Sequence, residues 1–493
     1  MVCNFGPVNT NSAIQILKTF TGKELSSFED FLNTPFHNKN KKVVQLFDLL
    51  KKYHPEYSVR NLTMENLFGN LMGKAKFKET YIRNLFSDLT ILAEKFLQYN
   101  LITKDPAYER LLIEEMKNRD LYDLAEKKIN SFEKKINSNR SKDQDYYQNK
   151  NFIYEMKSFL LVDRTLTDSF RNEQISGTIK LFMIILMENS LYLRVEEQRV
   201  NIKHSFGFLK HSLQYIGDHL KDFEDSPLLI IYYYIWLCFL NNNDESYFLK
   251  AKQYFRDHFG LLAKIDKKNI YSAMQVYYID KIDGGDSSYN KEFLNFLLEM
   301  VRFNVLSHKK KDFINLNLYR NILILCVMQK EIKILKKFIS EFINFVSEES
   351  RTSILAYSNA HLNYLQKNFE KTLEHCNRIN FNDLLISTND NLYFKNDIKS
   401  MILKCLYELS FLETALSNID AFRHYLRHSK LMKDNTKKRY MNFLSFVNEL
   451  IRLKMNFNEF NIEKLKQKLD KSTLLIQKHW LNEKINELSQ RSV

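Results

Sequence analysis

From Asp286 to Val493 the chain contains neither glycine nor proline, the two residues that most often break local structure. Across all 493 residues there are 10 Gly and 5 Pro, where ordinary usage would give roughly 60 together. The five prolines, Pro7, Pro35, Pro55, Pro106 and Pro227, all lie in the first half. Sheets joined by tight hairpins need residues with φ > 0, and a Gly-free stretch of this length offers only Asn and Asp for that role. Helices joined by short polar loops do without Gly, because Asn can hold the left-handed position at a helix end. The expectation is an all-α chain.

Hydrophobic residues make up 44% and charged residues 27%, enough for a sizeable core under a solvated surface. The five cysteines (Cys3, Cys238, Cys326, Cys376, Cys405) are scattered and odd in number, and most sit in apolar stretches. That pattern reads as buried free thiols in a reducing compartment, without a disulfide framework or a metal knuckle. Met1 to Gly6 has neither a basic nor an apolar leader region. The longest apolar run, Leu228 to Leu240, includes three tyrosines and falls short of the ~20 residues that a membrane span needs. It reads as a buried core helix, and the chain as cytoplasmic with no membrane partner.

Seventy-three basic residues against 59 acidic ones leave a formal charge of +14, a balance that draws nucleic acid or other polyanions. The basic runs His308–Lys311, Lys437–Arg439 and Lys464, Lys466, Lys468, Lys471 are interleaved with acids along the chain. They read as solvated helix faces. Nucleic acid is thus a possible partner but not the favoured one.

Three regions emerge. Residues 1–105 form a small helical domain, its clearest helix marked by Ile82, Leu85, Phe86, Leu89, Leu92, Ala93 and Phe96 at helical spacing. Residues 106–285 read as irregular helical hairpins, and 286–493 as a more regular array. The second helices of successive hairpins begin near 247, 289, 331, 369, 411 and 457, a step of roughly 40 residues.

Segment 353–380, with Ala360, Tyr364, Lys367-Asn368-Phe369-Glu370 and Thr372, resembles a tetratricopeptide repeat. Segment 396–427 repeats the pattern with Leu403, Tyr407, Ser410-Phe411-Leu412-Glu413 and Ala415, and 231–258 is a fainter copy with Tyr234, Asn242-Asn243-Asp244-Glu245, Ala251 and Phe255. The chain as a whole is similar to bacterial tetratricopeptide-like α-solenoid proteins. The turn glycine of the family is Lys367, Ser410 or Asp244-Glu245 here. The resemblance implies an α-α superhelix whose first helices line a concave groove. Tyr357, His361 and Tyr364 would line it in one repeat, and Ser400, Lys404 and Tyr407 in the next. The family's carboxylate clamp uses Lys and Asn, which Tyr357 and His361 do not supply, so the groove would take an extended or helical peptide.

No phosphate-cradling Gly loop, HExxH, GxSxG or zinc-spaced Cys/His set occurs. His424 and His428 stand one helical turn apart, and Arg423 with His428 resembles the Arg-x4-His element of HEPN ribonucleases. Both read as the polar end of a helix, so no metal, cofactor or catalytic residue is expected. The leading expectation is a non-enzymatic scaffold that binds a protein or peptide. The alternative is a DNA-binding transcriptional regulator. Residues 62–69 followed by 81–89 resemble a helix-turn-helix, which would set Lys76, Lys78, Arg83 and Asn84 against DNA.

Overall fold

The computed structural model describes residues 11–57, 62–102, 105–139, 141–160, 164–199, 202–303, 314–384, 388–430 and 432–490. Among them every regular element is a helix and no strand occurs. The chain divides into two compact units, Met1–Lys134 with Phe159–Val162, and Lys135–Ser158 with Asp163–Val493.

The first unit opens with α1 (Ser12–Lys18), α2 (Gly22–Asn33), α3 (Lys41–Lys51), α4 (Met64–Met72) and α5 (Glu79–Ile102). Local sequence fixes their starts. Asn11 caps α1, and Thr21 with Glu24 makes a capping box on α2. Thr63 caps α4, accepting from Asn66 N at 3.2 Å. The expected α5 stripe is buried throughout. It closes a core in which Phe28 meets Phe47 and Phe96, each at 5.1 Å between ring centroids. Next come α6 (Pro106–Asn118), with Pro106 at its first position, and α7 (Tyr122–Ser138), which crosses from one unit to the other.

The second unit continues with α8 (Gln144–Leu160), α9 (Arg164–Arg199), α10 (Gly207–Asp218), α11 (Pro227–Leu240), α12 (Glu245–Asp257), α13 (Lys264–Asp283) and α14 (Tyr289–Arg302). Then follow α15 (Leu316–Met328), α16 (Ile332–Phe342), α17 (Glu348–Leu365), α18 (Phe369–Asn377), α19 (Thr388–Glu408), α20 (Leu412–His428), α21 (Asp434–Met455), α22 (Glu459–Lys471) and α23 (Lys478–Ser489). Consecutive helices pack on one another, and α15, α17 and α19 also lie side by side as the first helices of successive hairpins. The apolar α11 is a core helix, enclosed by α9, α10, α12 and α13. Tyr232 and Tyr233 are both buried although they point in different directions, because neighbours lie on several sides of the helix. Among the described residues no helix is long and apolar enough to cross a membrane.

Five helix connections share one closure, which in four of them uses no Gly. After α6, α13, α15, α17 and α19 the chain enters the left-handed region at Asp120, Gly285, Lys330, Lys367 and Ser410, with φ of 58°, 100°, 57°, 61° and 61°. At each site that residue's N–H donates three residues back and the next N–H five residues back. The pair is Lys367 N to Tyr364 O at 3.0 Å and Asn368 N to Asn363 O at 2.9 Å in one case. It is Ser410 N to Tyr407 O at 3.1 Å and Phe411 N to Leu406 O at 2.9 Å in another. This is the Schellman geometry. In the Gly-free region Lys and Ser hold the position that Asn was expected to take. The third turn lies at Asn242 and Asn243, with φ of 56° and 59°, just before the expected Asp244-Glu245.

Candidate functional site

Along α19, Asn396/Asp397, Ser400, Lys404 and Glu408 recur at helical spacing. The spacing puts them on one face, which α15 and α17 approach. Arg320 on α15 donates to both carboxylate oxygens of Asp397, Nε to Oδ2 at 2.5 Å and Nη2 to Oδ1 at 2.8 Å. The Tyr357 hydroxyl on α17 donates to the same Oδ2 at 2.7 Å. His361, one turn on, uses Nδ1 against Tyr357 O at 2.9 Å, which makes Nδ1 the protonated nitrogen of a neutral ring. The Lys404 ammonium lies 4.3 Å from the centroid of the Tyr364 ring and donates to Gln477 Oε1 at 3.1 Å. At the far end Glu408 Oε1 accepts from Trp480 Nε1 at 3.0 Å and pairs with Lys484 at 2.9 Å.

Burial sets the electrostatics. Arg320 is held charged because Asp397 outweighs the desolvation that works against it. Burial pushes the His361 imidazole down to about 4, the nearby Lys404 and Arg320 charges adding to the effect and Asp397 opposing it. Burial likewise brings Lys404 down to about 8, against the pull of Cys405, Asp397 and Glu408. A second buried charge, Asp266 at the start of α13, stands in an acidic neighbourhood. Burial first, then Asp143 and Glu188, raise its carboxyl to about 7. Its Oδ2 has no hydrogen-bond partner, while Glu188 accepts from Asn269 Nδ2 at 2.5 Å.

The structure brings the expected groove residues together but buries them. Tyr357, His361, Ser400, Lys404 and Tyr407 are at most 5% exposed, and Tyr364 is partly buried under Lys404. The expectation of an open groove at these positions is therefore corrected. The hairpins curl until Arg439, near the start of α21, reaches Asp283 at the end of α13 at 2.5 Å. Gln477 and α23 then cover the lower half of the α19 face through Lys404 and Glu408. Tyr407 is stacked edge-on against Trp480, with ring centroids 5.4 Å apart. The Ser400 hydroxyl is buried without a partner. Arg320, Asp397, Glu408, Trp480 and Lys484 were not singled out in the sequence. The signal for two of them was there, in the polar residues recurring along α19.

The other candidates are exposed. Lys76, Lys78, Arg83 and Asn84 all stand on the surface at the α4–α5 junction, which Phe68 pins through Phe77 and Tyr81. Arg83 is engaged by Glu79, Nε to Oε1 at 2.6 Å. The His424 and His428 rings lie tilted with centroids 4.1 Å apart, and His428 Nδ1 meets His424 O at 2.8 Å. Among the described residues no group of three or more His, Cys, Asp or Glu could hold a metal ion. Two open surface depressions are lined by basic and aromatic side chains, one around Tyr234, Lys250, Tyr254 and Arg256, the other between α21 and α22. In comparisons with family models, curated proteins and solved structures, the chain matched none of them.

Proposed function

We propose that this chain is a non-enzymatic scaffold that binds a protein or peptide partner, built from hairpins of tetratricopeptide-like type. The observation that carries the reading is the recurrent hairpin closure at Lys330, Lys367 and Ser410, which sets the helices at a step of roughly 40 residues. Small residues support the likeness: Ala360, Thr372 and Ala415 are fully buried where the repeat needs close helix approach. The inner face is occupied by the chain's own side chains, so recognition falls to outer faces and edges. Such a scaffold acts in the cytoplasm by presenting surface rather than by chemistry. Affinity capture from cells that make the protein, followed by titration of the purified partner, tests this. Saturable binding supports it; the absence of any reproducible partner overturns it.

A second reading, a DNA-binding regulator, is favoured by the joint exposure of Lys76, Lys78, Arg83 and Asn84 on one junction. It requires duplex binding that weakens steeply with salt. A shift assay at about 50 and 200 mM salt decides it, and no shift at the lower salt disposes of the regulator.

A further inference from the structure

The outer face of α22 combines exposed lysines with an exposed aromatic beside an open depression. Phe460 is 79% exposed at its first turn, with Phe457 in the connection before it and Met455 at the end of α21 both half-exposed. Phe460, Lys464, Gln467, Lys468 and Lys471 follow at i, i+4, i+7, i+8 and i+11, a single stripe over about 16 Å of helix. Beside that stripe runs the open depression between α21 and α22, with Phe446 at its floor and Lys464, Lys468 and Lys471 along one wall. Lys468 lies over the Phe446 ring at 5.2 Å and pairs with Glu449. Lys464 and Lys471 have no ion-pair partner among the described residues. At the end of the helix Lys478 donates to Asp470 O at 3.3 Å and Ser472 O at 3.0 Å, adding another cation.

We propose that this α21–α22 surface docks an acidic amphipathic segment of a partner protein. The inference rests on the scaffold reading and supplies its partner class. An apolar side chain of the partner would cover Phe460, and carboxylates one and two turns away would meet Lys464 and Lys471, whose charges are unspent. The length of the stripe suits about three turns of partner helix. A polyphosphate backbone fits less well, because Glu449, Glu463 and Asp470 are interspersed with the lysines and would repel an unbroken run of phosphates. Phe446, the aromatic at the floor, already has Lys468 over its face and offers no open platform for a base.

The test uses the full chain and fluorescence anisotropy at low salt. The probe is a 14-residue peptide alternating glutamate pairs with leucine and phenylalanine at helical spacing; the control peptide has lysine for every glutamate. The wild type binds the acidic probe and not the basic one. K464E/K471E weakens binding about tenfold or more, and Phe460→Ala by several fold. K333E/K336E, which reverses two exposed lysines on α16, leaves it unchanged. Circular dichroism confirms that all variants are folded. Equal binding by wild type and K464E/K471E, or no binding by wild type, overturns the proposal. So does tighter binding of a 12-nucleotide oligouridine that is lost in K464E/K471E, which would assign the face to RNA. A partner captured by wild type that binds K464E/K471E undiminished refutes this surface while leaving the scaffold reading intact.

Discussion

Replacing Asp266 by Asn and His361 by Asn unmasks two opposing pH dependences inside one fold. Asp266 titrates near 3.8 when unfolded and at about 7 when folded. Its folded pKa is raised, so its stabilising contribution is complete below pH 3.8 and is lost as pH rises through about 7. At about 1.36 kcal/mol for each pH unit between those two values, the ceiling is about 4 kcal/mol, of which about 2.5 kcal/mol falls between pH 5 and pH 8. His361 runs the other way. Its pKa drops from 6.5 to about 4 on folding, so its contribution is complete above pH 6.5 and is lost as pH falls through about 4. Between pH 8 and pH 5 that loss is about 2 kcal/mol. Lys404, at about 8, changes little across this window. The wild type should therefore show a nearly flat stability from pH 5 to 8. The assay is urea unfolding at each pH followed by tryptophan fluorescence, Trp236 lying in the core around α11 and α13. The stability of Asp266→Asn relative to wild type should rise by about 2.5 kcal/mol from pH 5 to 8, and that of His361→Asn should fall by about 2 kcal/mol. Differences that stay constant with pH would refute the buried, charge-crowded placement of these two groups.

Other perturbations follow from the same packing. Lys330, Lys367 and Ser410 hold left-handed backbone with a side chain attached, so each change to Gly should raise stability by about 0.5–1 kcal/mol in chemical denaturation. Removing the Arg320 guanidinium (Arg320→Met) leaves the Asp397 carboxylate buried and should cost about 3–5 kcal/mol by the same assay. Ser400→Ala deletes an unpartnered buried hydroxyl and should be neutral or stabilising by about 1 kcal/mol; a marked loss of stability would mean that Ser400 has a partner.

Much of the architecture was legible in the sequence because helical spacing and the absence of Gly and Pro are local signals. The second helices at 289, 369 and 411 were expected within a residue of where α14, α18 and α20 begin. In α9, which reaches Arg199, Ile184, Met187 and Leu191 keep one face buried in the core of the second unit. The candidate groove was legible in identity but not in environment. Tyr357, His361, Ser400 and Lys404 do share a neighbourhood. Whether that neighbourhood is open depends on contacts such as Arg439 with Asp283 and Lys484 with Glu408. These join residues far apart in the chain, and no local window carries that information. Turn chemistry was legible in part: the left-handed positions were located at Lys367 and Ser410 by analogy with the family's glycine, whereas propensity alone pointed to Asn.

Lys404 provides the most direct test of a sealed inner face. An amine whose pKa lies near 8 is more nucleophilic at pH 8 than an ordinary lysine, so in an open groove it would be among the first to react with an acylating reagent. Here it is only 5% exposed, between the Tyr364 ring and Gln477. Brief acetylation of the native protein, read by peptide mass spectrometry, should leave Lys404 unmodified while Lys333, Lys464 and Lys471 react. Early labelling of Lys404 in the folded protein would contradict the account.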